Sequence, residues 1–213
     1  MILLADNDIL VKLAQCDLMG EALDIFGVNN SDCYVLDTAK YALYLNDPDK
    51  CIGRRLGTAH AYERLCSFIG ECSELGAARD DVDLIEELML VESLDAGELA
   101  LVLHANQLDQ IGNFHGFATG DKRALRGIAE SECHAVKALL TEKVDCLESV
   151  LLKAVNRYGH ASIRQKVEQA LQVTDPAKFD TVLRMSFGNG RDELHCTECL
   201  KHYMQPVVQF IKP

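Results

Sequence analysis

Residues 2–10 read ILLADNDIL. Ile2 to Ala5 form an apolar run of the length and character of a strand buried in a parallel sheet. Asp6, Asn7 and Asp8 interrupt it. The apolar pattern then resumes at Ile9, Leu10, Leu13 and Ala14 with helical spacing, so a helix is expected over Asp8–Cys16. An order of strand, carboxylate and helix points to an α/β fold with acids at the strand edge.

The same order recurs downstream. Strands are expected at Cys33–Asp37 (CYVLD), Phe114–Thr119 and Val144–Leu147. Helices are expected at Gly20–Ile25, Thr38–Tyr44, 57–73, 81–89, 95–105 and 122–129, with a turn at NDPD 46–49. Further helices are expected at 148–158, 160–171, 176–185 and 192–209. Strands alternating with helices predict a three-layer α/β/α domain with a central, mostly parallel sheet. It spans residues 1–147, and residues 148–213 form a helical C-terminal extension packed on the same domain. Ligands in such sheets bind at the carboxyl ends of the strands, near the point where strand order reverses.

Nearly half of the 213 residues are apolar, but aromatics are few and Trp is absent, so the core is aliphatic. The net charge of −12 argues against indiscriminate nucleic-acid binding. Its distribution is uneven. Ten acids and one base lie between Glu71 and Glu98, whereas Val150–Val167 carries four bases and no acid. Lys122, Arg123 and Arg126 form a compact basic group, and a local basic face can still meet a polyanion. Nine cysteines, no secretory signal layout and no spanning apolar run suggest reduced thiols in a cytoplasmic protein without a membrane partner.

Three stretches place acids at element boundaries. LLADNDIL puts Asp6 where the first strand stops. SLDAGELAL puts Asp95 and Glu98 in the first turn of a helix, and FATGDKRAL puts Asp121 just beyond the third strand. Each has a local explanation. Asp95 and Glu98 have capping-box spacing, and Asp6, Asp8 and Asp121 can each cap a helix, where the dipole stabilises a carboxylate by ~0.3–1 kcal/mol. Capping, however, needs no common sheet edge. Carboxylates gathered at one edge repel unless a cation joins them. Hard ions such as Mg²⁺ or Mn²⁺ suit such ligands and serve phosphodiester hydrolysis.

Taken in order, LLADNDILVKLA, DAGELALVLHA and FATGDKRALRGIA resemble the three acidic motifs of PIN domains, over about residues 1–147. Asp8 stands where the family usually shows Asn. The resemblance implies a metal-dependent endoribonuclease acting on single-stranded or structured RNA. It implies Asp6, Glu98 and Asp121 as the catalytic, metal-binding acids for Mg²⁺ or Mn²⁺, with Asp8 as an accessory ligand. Many relatives have a fourth acid; Asp95 is the nearest candidate and reads better as a cap. Lys40, Lys122, Arg123 and Arg126 are the candidates for meeting RNA phosphates. The resemblance also allows an antitoxin-like protein inhibitor and a homodimer as partners.

Two other readings stay open. One is a catalytically inactive PIN-like binding or scaffolding module, and the other a hydrolase of small phosphoesters. Other signals are weaker. HCTECLKH at 195–202 pairs Cys196 with Cys199, but no second Cys/His pair completes a zinc site. SFGNGRDE at 186–193 lacks the Gly-Lys-Ser/Thr ending of a phosphate loop. His104 and His115 have no evident nucleophile beside them.

Overall fold

The computed structural model describes residues 2–213. β1 (Ile2–Ala5) stops at the acids, and α1 (Asn7–Gln15) begins one residue after Asp6. Next are α2 (Met19–Phe26), β2 (Cys33–Leu36), the short helices α3 (Ala39–Ala42) and α4 (Pro48–Cys51), and α5 (Ala59–Glu71). Then come β3 (Ser73–Leu75), α6 (Val82–Met89), α7 (Ala96–Gln110), β4 (Phe114–Thr119), α8 (Lys122–Glu130), α9 (His134–Leu140) and β5 (Val144–Cys146). α10 (Leu147–Tyr158), α11 (His160–Val173), α12 (Thr181–Phe187) and α13 (Glu193–Met204) end the helical part, before a 3-10 turn at Gln205–Phe210.

The fold is α/β, with five parallel strands in the order β3-β2-β1-β4-β5. Alternation along β1 divides its side chains between two cores. Leu3 and Ala5 join Ile9, Leu13, Cys33 and Val35 on one face. Leu4 joins Phe117, Leu101, Leu125 and Val144 on the other. Both faces of the sheet are therefore covered by helices. Among the described residues no helix is long and apolar enough to cross a membrane.

Residues 148–213 pack mainly into the first of these cores, and Val207 and Phe210 join the second. Val150, Leu151, Phe187 and Leu200 pack in one cluster with Ile9 and Leu13 of α1. The chain end returns to the sheet, where the Lys212 amide donates to the Val144 carbonyl at 2.8 Å. The C-terminal helices are thus continuous in packing with the sheet-bearing part of the chain.

Several boundaries differ from the expected ones. The expected helix over 57–73 stops at Glu71, because Cys72 turns extended and Ser73–Leu75 pairs in register with Tyr34–Leu36. This edge strand is short and only Leu75 is buried, so it lacks a strand's apolar signature. The NDPD stretch is partly helical: Asp47 caps α4, and Pro48 occupies its first turn, where no amide donor is needed. The expected helix 176–185 starts later, at Thr181, capped by Asp180. That over 192–209 tightens to a 3-10 turn at Gln205–Pro206, since Pro206 has no amide to continue the ladder. The nine cysteines form no disulfide. Burial pushes the Cys33, Cys146 and Cys196 thiols up to about 12.

Candidate active site

Strand order reverses between β1 and β4, since β2 and β3 lie on one side of that pair and β5 on the other. The Asp6 amide donates to the Ala118 carbonyl at 2.9 Å, which extends the β1–β4 pairing and sets Asp6 beside Thr119. The Thr119 hydroxyl donates to Asp6 Oδ2 at 3.3 Å. Gly120 then passes close to α1: a Cβ there would run into the Asp8 carboxylate and stand 3.0 Å from the Ile9 amide. Glycine is the residue that allows this approach, and it brings Asp121 to the same edge. Asp6, Asp8, Asp95, Glu98 and Asp121 line one cleft of about 280 Å³, together with Asn7, Val11, Ala42, Leu43 and Arg55. A larger, shallower hollow of about 600 Å³ lies elsewhere, at Gly20, Asp24, Asn29, Asn30 and Glu71. Its acids are held by local partners, Asp24 by Arg157 and Tyr158 and Glu71 by Asn30, so the chemistry is better sought at the acidic cleft.

Capping accounts for some of these acids and not for others. Asp95 and Glu98 form a reciprocal box at the start of α7: Asp95 Oδ1 accepts the Glu98 amide at 2.8 Å, and Glu98 Oε2 accepts the Asp95 amide at 2.9 Å. Asp121 Oδ1 accepts the Arg123 amide at 2.7 Å. Asp6, by contrast, occupies the N-cap position of α1 but its side chain makes no capping hydrogen bond. Asp8 lies inside the first turn, and its carboxylate accepts from Lys12 Nζ at 2.6 Å.

The electrostatics divide the acids differently. Burial, then the charge of Asp8, push the Asp6 carboxyl up to about 6; nearby amides and Thr119 offset only part of this. Burial, with the charges of Asp95, Asp121 and Asp6, pushes Glu98 up to about 7, against the Asp95 amide. Burial also works to raise Asp121, but the Arg123 side chain and amide outweigh it and hold Asp121 below the usual carboxylate range. Burial is the leading cause at both Asp6 and Glu98, so the cleft disfavours the charged form of each.

A hard divalent cation fits this donor set in kind. In this arrangement, and among the described residues, no three His, Cys, Asp or Glu side chains converge closely enough to hold one. Two of the three acids already have local partners. The Arg123 side chain is 84% exposed where it pairs with Asp121, so solvent screens that pair. The capping box contributes about 1 kcal/mol.

The cations expected to meet phosphates are placed unevenly. Lys122 pairs with the buried Glu148 and donates to the Tyr203 carbonyl at 3.3 Å, so it ties α8 to the C-terminal helices. Arg123 chelates Asp121, with Nη2 at 2.6 Å. Lys40 pairs with Glu74 and is not among the cleft-lining residues. Arg126 is exposed and makes no ion pair among the described residues; it lines a second hollow of about 290 Å³, which shares Asp8 and Asp121 with the acidic cleft.

Residues without a marked sequence signal also build the site. Lys12 is largely buried, bridges Asp8 and Asp180 (2.9 Å), and approaches the Gly120 carbonyl at 3.4 Å. Burial opposes its charge, but Asp8 and Asp180 outweigh it and raise its pKa. Its i,i+4 spacing from Asp8 was the available hint. Arg55 reaches the cleft from a π-helical turn at Ile52–Leu56, which the sequence does not announce. The Cys196–Cys199 stretch is part of α13, with Cys196 in the core, and His195 Nε2 lies 3.1 Å from the Met185 carbonyl. His104 and His115 lie against the carbonyls of Gly76 and Phe26.

Compared with protein-family models, curated proteins and solved structures, the chain matches none.

Proposed function

We propose that the chain is a divalent-metal-dependent endoribonuclease with a three-layer PIN-like domain, hydrolysing RNA phosphodiester bonds at the acidic cleft. One observation carries the reading: five carboxylates line a single cleft where strand order reverses, and one of them, Asp6, stands at the N-cap of α1 without a side-chain capping hydrogen bond. Asp6, Glu98 and Asp121 would hold Mg²⁺ or Mn²⁺, with Asp8 beside them. Bound there, the metal supplies a Lewis acid for the phosphate and an activated water for attack. The protein's own part is positional. Thr119 orients the Asp6 carboxylate. The buried cleft keeps Asp6 and Glu98 poorly solvated and responsive to an incoming cation. Unpaired thiols suit the reducing cytoplasm.

A second reading is a PIN-like binding module without catalysis. The capping box on Glu98 and the Arg123–Asp121 pair favour it, because both carboxylates already have partners. A cleavage assay on mixed single-stranded and structured RNA with Mn²⁺, with an EDTA control, separates the two. Hydrolysis that disappears with EDTA, with Asp6→Asn and with Glu98→Gln supports the nuclease. Folded protein that neither binds Mn²⁺ nor cuts supports the module.

A further inference from the structure

α1 carries one cation, Lys12, and oxygen atoms enclose it. Its side chain is 15% exposed. Nζ lies 2.6 Å from Asp8 Oδ2, 2.9 Å from Asp180 Oδ2 and 3.4 Å from the Gly120 carbonyl oxygen. These oxygens come from three separate segments: the first turn of α1, the N-cap of α12 and the turn after β4. Asp8 lines the acidic cleft, and Asp8, Lys12 and Gly120 line the hollow beside it.

The arrangement is fixed from several sides. Lys12 follows Asp8 by four positions, so the two share a face of α1. Asp8 also abuts Gly120, where any side chain would strike its carboxylate. Asp180 Oδ1 accepts the Val182 amide at 2.7 Å, which leaves Oδ2 for Lys12. An ammonium between two carboxylates and a carbonyl has the oxygen donors and the charge balance of a hard cation in its site. A tie between α1 and α12 needs Asp180 alone. The Asp8 contact does something else: it sets a positive charge at the edge of the cleft.

We infer that Lys12 is a resident positive charge of the acidic cleft: its ammonium takes up Asp8, so that the cleft accepts one divalent ion, on Asp6, Glu98 and Asp121, and no second. The inference rests on the nuclease reading and adds to it the number of ions. Of the five carboxylates lining the cleft, Asp8 and Asp121 are the two with ion pairs among the described residues. They differ in kind. The partner of Asp121 is an exposed guanidinium that solvent screens, whereas the partner of Asp8 is enclosed. Asp95 is committed to the capping box. Asp6, Glu98 and Asp121 then supply three negative charges, which balance one divalent ion and fall short of two; Asp8 would be the fourth. Lys12 is a positioning residue on this account, and Asp180 links the C-terminal helices to the cleft through it.

The test counts Mn²⁺ ions bound per chain, from the electron paramagnetic resonance signal of the free ion, on the full chain without RNA. Circular dichroism checks that each variant is folded. Wild type should bind one ion, lost in Asp6→Asn. Lys12→Arg keeps the charge and should also bind one. Lys12→Met keeps the apolar stem and removes the charge, so it should bind a second ion, and the double variant Lys12→Met, Asp8→Asn should return to one. Should Lys12→Met not fold, Lys12→Gln, which still donates to Asp180, carries the same expectation. A purely structural Lys12 would shift the unfolding midpoint and leave the count at one. Two ions on wild type, or one on the folded uncharged variants, therefore overturns the inference and leaves the nuclease reading standing. No ion on wild type overturns both.

Discussion

The two walls of the acidic cleft both carry cations but use them differently. On α8, Lys122 neutralises Glu148 and Arg123 neutralises Asp121, which leaves Arg126 without an ion pair among the described residues. On the β2–α5 connection, Arg54 and Arg55 have no carboxylate partner among those residues and rest on the Tyr44 ring and the Ala42 carbonyl. Lys122 answers a buried acid 26 positions away and Arg123 an acid two positions away, so both are engaged as counter-ions. Arg55, brought to the cleft by a distant segment, remains available to a ligand. The motif-bearing wall therefore stabilises the fold and tunes the acids, and the wall without a motif faces the solvent.

The largest effect expected from this contrast is on stability. Lys122→Ala leaves Glu148, which is 2% exposed, without its partner and should cost about 3–5 kcal/mol, read from urea unfolding. RNA binding that collapses while stability holds would instead place the substrate on Lys122. The next effect depends on pH. Asp6 and Glu98 are pushed up to about 6 and about 7, above ordinary carboxyl values. Acids raised in the folded state contribute stability that is full below about pH 4 and is lost as pH rises through those two values. Metal-free protein should therefore be less stable at pH 8 than at pH 5, by about 1–2 kcal/mol for Asp6 alone, since part of its loss already falls between pH 4 and pH 5. Asp6→Asn should recover much of that at pH 8. A pH-independent unfolding midpoint would mean that burial in the cleft does not disfavour the two carboxylates.

A smaller effect belongs to Arg123. Removing it frees Asp121 from a competing cation, so Arg123→Ala should bind Mn²⁺ about 2- to 5-fold more tightly by calorimetry, matching the modest strength of exposed pairs. Weaker Mn²⁺ binding would mean that Arg123 supports the ligand set instead of competing with it. The smallest is at Arg126: Arg126→Ala should weaken RNA binding about 2-fold at low salt, less than Arg55→Ala. The reverse order would exchange the roles of the two walls.

Much of the frame could be read from residues alone. β1, β2, β4 and β5 fall where short apolar runs stop at polar residues, and parallel strands necessarily put Asp6 and Asp121 on one edge. The capping box of Asp95 and Glu98 matches their spacing. Other features depend on distant contacts. β3 has three residues and one buried side chain, so its pairing with β2 makes it a strand. The Lys122–Glu148 pair joins segments 26 positions apart, which no local pattern specifies. Arg55 reaches the cleft through an extra-wide helical turn.

The most direct measurement is Mn²⁺-dependent cleavage of a single-stranded RNA by wild type, Asp6→Asn and Glu98→Gln, with folding checked by circular dichroism. The account predicts hydrolysis by wild type that stops in EDTA and falls at least about 100-fold in either variant, the scale expected when a group stabilising the transition state is removed. Folded wild type that leaves RNA intact, or Asp6→Asn that cuts as fast as wild type, would contradict it.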